Sequence, residues 1–116
     1  MKRRFLWSLL ALTQIAQGDA LLVASTPPAD AKLSHFAGQV IFRFRGNISA
    51  QAPSLVVVDE FGNRVDRGDM QIRLIEDGAE LSTTTPPLTL GRYAVRYRVL
   101  TEDGLVLSGI QHFTIH

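Results

Sequence analysis

From residue 21 onward, apolar side chains return at every second position, and the segments between them are rich in Gly, Pro, Asn and Asp. A period of two puts alternate side chains on opposite faces of an extended strand, so the pattern predicts β-structure. Leu21 to Ser25 forms a first short strand, ended by Pro27-Pro28, which supply no ladder donors and hold the backbone extended. Val40, Phe42 and Phe44 share one face of Gln39 to Phe44, with Arg43 and Arg45 on the other, which predicts a half-buried strand. Leu55 to Val58 is apolar on both faces, as a central strand would be, and Asp59-Glu60-Phe61-Gly62-Asn63 follows with turn chemistry. Met70, Ile72 and Leu74 alternate with Gln71 and Arg73 before Glu76-Asp77-Gly78 turns the chain again.

The clearest alternation is Gly91 to Leu100, where Tyr93, Val95, Tyr97 and Val99 alternate with Arg92, Ala94, Arg96 and Arg98. Asp103-Gly104 then predicts a hairpin turn, and Leu105 to His116 returns with Leu107, Phe113 and Ile115 on one parity. Thr83-Thr84-Thr85-Pro86-Pro87 reads as a mobile loop, and no stretch beyond the first eighteen residues keeps a helical period or carries a good helix cap. About seven short strands, with turn signals every ~8–12 positions, predict an all-β fold, an immunoglobulin-like or Greek-key β-sandwich.

The first segment differs from all of this. Lys2, Arg3 and Arg4 precede the mostly apolar stretch Phe5 to Ala16, and Ala16-Gln17-Gly18 places small residues where a signal peptidase reads them. That stretch is about twelve residues long, short of the ~20 that a spanning helix needs. Residues 1–18 are therefore expected to be a signal peptide and 19–116 the exported domain. A cut after Ala20 satisfies the same small-residue rule. The whole chain carries twelve Lys plus Arg against eleven Asp plus Glu, a formal +1, which gives no electrostatic case for nucleic-acid binding. Loss of residues 1–18 removes three cations and leaves a mildly acidic domain. The absence of cysteine excludes disulfides, thiolate metal sites and cysteine nucleophiles, and in an exported small domain it suits the bacterial periplasm.

Candidate chemistry is sparse. His112 and His116 are four residues apart, which on a strand separates their Cα atoms by about 13 Å, too far for one ion to bridge easily. Their parity is opposite to that of Phe113 and Ile115, so they read as solvent-facing. His35 falls in a connection between strands and reads as a surface or hydrogen-bonded loop residue; a composite site with a C-terminal histidine has no motif behind it. Tyr93 and Tyr97 read as core. Arg92, Arg96 and Arg98 offer an anion-binding face together with Arg43 and Arg45, against which stands cross-strand pairing with Asp or Glu. No Gly-x-Ser-x-Gly occurs, and Asp103-Gly104-Leu105 offers no base beside a nucleophile, so an enzyme is not expected.

Three local sequences carry a resemblance. Leu22-Val23-Ala24-Ser25-Thr26-Pro27-Pro28-Ala29-Asp30, then Leu88-x-Leu90-Gly91-x-Tyr93-x-Val95-x-Tyr97-Arg98-Val99, then Thr101-Glu102-Asp103-Gly104-Leu105-Val106-Leu107-Ser108-Gly109 are similar to the CopC family of periplasmic copper-resistance proteins. The resemblance implies a Greek-key sandwich, export to the periplasm, copper handling, and a CopD-like membrane protein or another envelope protein as partner. It also implies a copper(II) site made from an N-terminal His, the His of an Asp-Gly-His motif and the Asp of that motif, a donor set suited to Cu(II). Here Leu105 stands at the second His and Asp19 at the first, so only Asp103 matches. Asp103, with the α-amine and carboxylate of Asp19 after a cut behind Gly18, is the residual metal site the resemblance leaves. Such a set binds Cu(II) far more weakly than two imidazoles and an amine. The bland reading of Asp103-Gly104 is that the hairpin simply requires it.

Overall fold

The computed structural model describes residues 20–116; the expected signal peptide at 1–18, its boundary with 19–116 and Asp19 lie outside the described residues. Eight strands follow one another: β1 (Leu21–Thr26), β2 (Ala31–Leu33), β3 (Gln39–Arg45), β4 (Ile48–Asp59), β5 (Gln71–Ile75), β6 (Gly78–Thr84), β7 (Gly91–Thr101) and β8 (Val106–Ile115). They form two four-stranded sheets, ordered β1-β3-β6-β5 and β2-β8-β7-β4. Every pairing is antiparallel except β2 with β8, which runs parallel.

The alternation in the sequence is the alternation of burial. Val40, Phe42 and Phe44 of β3 and Ala79 and Leu81 of β6 face Leu55 and Val57 of β4 and Val95 and Val99 of β7, each at most 1% exposed. Tyr97 spans the gap between sheets, its ring centroid 5.4 Å from Phe42 and 5.5 Å from Phe44. Tyr93 stacks on Phe113 at 5.4 Å, and its hydroxyl donates to the Thr89 carbonyl at 2.7 Å. That bond lets an aromatic core residue keep its polar tip satisfied at the corner where the chain enters β7.

Three expectations change. Leu55 to Val58 belongs to β4, which is an edge strand, not a central one. Its free edge is covered: Asn63 to Asp66 runs alongside, Val57 N–H donates to the Asp66 carboxylate at 2.9 Å, and Val57 C=O accepts from Val65 N–H at 2.8 Å. Covering the edge explains residues apolar on both faces, because Val58 is 8% exposed although it points away from the core. The predicted loop at Thr83–Pro87 begins inside β6, with Thr83 and Thr85 2% and 4% exposed. In β5, Ile72 is half-buried against the core, but Leu74 does not continue its parity and is 57% exposed.

Candidate functional site

The hairpin between β7 and β8 is the place where the sequence concentrates its candidate chemistry. Gly104 takes a φ of 92°, a left-handed conformation that glycine adopts without steric cost, and its N–H donates to Thr101 C=O at 3.0 Å. Thr101 is 4% exposed and organises the tip. Its hydroxyl donates to Asp103 Oδ1 and accepts from Leu105 N–H at 2.9 Å, while its own N–H donates to Leu105 C=O at 2.8 Å. Thus the Asp103 carboxylate is held by the hairpin's own threonine. The sequence reading passed over Thr101; the signal was a Thr two residues before the Asp-Gly turn.

The start of β1 reaches the same end of the sandwich. Leu21 pairs with Arg45 at the end of β3, and Glu102 N–H donates to Asn47 C=O at 2.9 Å in the turn that follows. Asn47, Thr101, Glu102 and Asp103 line an open depression there. Leu105, two residues on from Asp103 in the same hairpin, is 60% exposed and has an aliphatic side chain with no lone pair to offer. Among the described residues, no three His, Asp or Glu side chains gather closely enough to hold a metal ion.

The other candidates are dispersed. His35, His112 and His116 are all exposed, His112 on the outer side of β8 opposite Ala94. The five arginines do not share a face: Arg43 and Arg45 lie on β3, whereas Arg92, Arg96 and Arg98 lie on β7 in the other sheet. Parity fixes the face of one strand, not the sheet to which it belongs. Arg43 is paired across strands as the alternative reading expected, at 2.9 Å from Glu80, which also holds Arg73 at 2.8 Å. The guanidinium of Arg73, then that of Arg43, hold the Glu80 carboxyl below its ordinary range.

Two further carboxylates pin the long β4–β5 connection. Asp69 accepts from the Thr84 hydroxyl, from Thr84 N–H at 2.9 Å and from the Thr83 hydroxyl at 2.8 Å, which lowers its pKa to about 2. Burial pushes the Asp66 carboxyl up, but Arg64 and the N–H groups of Val57 and Gly68 outweigh burial and bring it below the usual range. Through these bonds both carboxylates anchor the chain. No helix among the described residues is long and apolar enough to cross a membrane.

No curated protein matches the chain. Among solved structures, CopC from Methylosinus trichosporium OB3b superposes with a TM-score of 0.67 at 28% identity, covering 83% of this chain and 92% of that one. PcoC from Escherichia coli, described as a methionine-rich copper resistance protein, superposes with a TM-score of 0.68 at 18% identity, covering 85% of this chain and 100% of its own. At that identity the PcoC likeness speaks to the fold alone. The family model described as the CopC domain matches residues 22–116, from β1 through β8. With the shared sandwich and a match running the length of both sheets, the chain belongs to the CopC family.

Proposed function

We propose that this protein is exported to the periplasm and serves the copper-homeostasis setting of its family as a non-enzymatic module whose own copper(II) site is degenerate, so that metal binding is weak or lost. The observation that carries this reading is Leu105, exposed at the hairpin tip beside an Asp103 already engaged by Thr101. A cupric ion takes nitrogen and carboxylate donors in a tetragonal arrangement, and one carboxylate beside a leucine does not fit it. The reading of residues 1–18 as a cleaved signal supports export. If metal is lost, contact with an envelope protein such as a CopD-like membrane protein is the remaining role for a sandwich that keeps its fold.

The test is a titration of the purified mature protein with Cu(II), after mass spectrometry has fixed its first residue. Affinity no greater than that of an amine-plus-carboxylate peptide is expected. Stoichiometric binding well beyond such a peptide, abolished by Asp103→Ala, overturns the degenerate-site reading. Asp19→His combined with Leu105→His is expected to restore tight binding if the first residue is Asp19.

A further inference from the structure

The outer face of the β2-β8-β7-β4 sheet carries cations without the acids that accompany them on the other sheet. Cross-strand register sets its rows: Arg98 lies between Ser54 of β4 and Ser108 of β8, and Arg96 lies between Val56 and Ile110. These six residues line one open, shallow depression. Both arginines are exposed, Ile110 is 57% exposed, and neither arginine forms an ion pair among the described residues. On the opposite sheet, by contrast, Arg43 and Arg73 share Glu80. No Asp or Glu lies on β7 or β8, and Asp59 and Glu60 line a separate depression with Arg92 and His112.

From this arrangement we propose that the outer face of β4, β7 and β8 docks an acidic surface of a partner protein, with a partner carboxylate seated between Arg96 and Arg98. Side chains two apart on a strand stand about 7 Å from one another, a spacing that two guanidiniums can close on one carboxylate. The Ser54 and Ser108 hydroxyls flanking Arg98 add neutral donors, and Val56 and Ile110 supply the apolar contact that a protein surface, unlike a small ion, can use. Arginine in place of lysine also favours a protein interface, where arginine is enriched and lysine depleted. The depression has no enclosing wall of the kind that buries most of a small ligand. Three strands ~4.8 Å apart present a patch well under the ~800 Å² per partner of a stable complex, so the contact is a transient one.

This deepens the interaction-module reading, and its test is independent of copper. The uniformly 15N-labelled mature protein is titrated with hexaglutamate and, separately, with vesicles of phosphatidylglycerol and phosphatidylcholine. Amide shifts are expected to concentrate at residues 54–56, 96–98 and 108–110 with the peptide and to weaken as salt rises. Arg96→Glu with Arg98→Glu is expected to reduce peptide affinity by about tenfold or more, whereas the charge-matched Arg45→Glu with Arg67→Glu leaves it much closer to the parent value. Should the reversal fail to fold, Arg96→Gln with Arg98→Gln reads the same loss. Shifts that fall elsewhere, binding that survives both arginine variants, or binding to vesicles without binding to the peptide overturns the proposal, the last in favour of a lipid surface. Tight copper binding with the peptide result intact would sink only the degenerate-site reading.

Discussion

The Tyr97 hydroxyl lies directly over Gly109 on the neighbouring strand, so close that a Cβ on the glycine would overlap the hydroxyl and the ring carbon bearing it. This accounts physically for the glycine in the Ser108-Gly109 pair of the family-like motif. The tyrosine that fills the space between the two sheets needs the floor beneath it kept empty. Gly109→Ala is expected to cost about 1–3 kcal/mol, the usual cost of overpacking a filled core. Tyr97→Phe removes the nearest atom, so the double variant is expected to lose less than the sum of the two single changes, measured by urea denaturation.

Acid is expected to loosen the β4–β5 connection. Asp69 has a folded pKa of about 2, and Asp66 is also lowered. Because both folded values lie below the unfolded ones, their stabilisation is fully present above about pH 4 and is lost as pH falls through the folded values. The urea midpoint of the parent protein should therefore drop between about pH 4 and pH 2. The Asp69→Asn variant should start lower and fall less steeply over the same interval; equal slopes in the two proteins would contradict the assignment.

Thr101→Val keeps the shape of a buried side chain but removes the hydroxyl that organises the hairpin tip. Leu105 N–H and the Asp103 carboxylate each lose a partner. The expected loss is about 1–3 kcal/mol, with faster hydrogen exchange at Leu105 and little change at Val40 or Phe42.

Glu80→Gln should matter less. Its partners Arg43 and Arg73 have side chains 52% and 70% exposed, so water and salt screen both pairs. A loss of no more than about 1 kcal/mol is expected, shrinking further in high salt.

Much of this architecture is legible in the chain because burial follows parity. β3 and β7 announce themselves through Val40, Phe42 and Phe44 and through Tyr93, Val95 and Val99, all of them buried. β6 does not, because its inward side chains are Ala79, Leu81 and Thr83, one small and one polar, and the threonine is acceptable inside only because its hydroxyl reaches Asp69. β2 is three residues long and leaves no periodic trace. Leu55 to Val58 suggests a central strand because its edge is shielded by a segment that returns from the following turn, a tertiary event invisible to local pattern. At the hairpin, Asp103 and Gly104 were readable from turn chemistry, whereas the role of Thr101 required knowing which hydroxyl the closed tip turns inward.

The parallel pairing of β2 with β8 has a consequence for how the molecule is assembled. Leu33 finds its ladder partner only at Ile115, and Leu33 C=O is capped by His116 N–H at 2.8 Å. A chain delivered amino end first must hold that short piece in waiting while β3 to β7 emerge. Closure of the second sheet thus waits on β8, and a chain cut short within that strand would be left as a sticky, half-built intermediate rather than a slightly shorter protein.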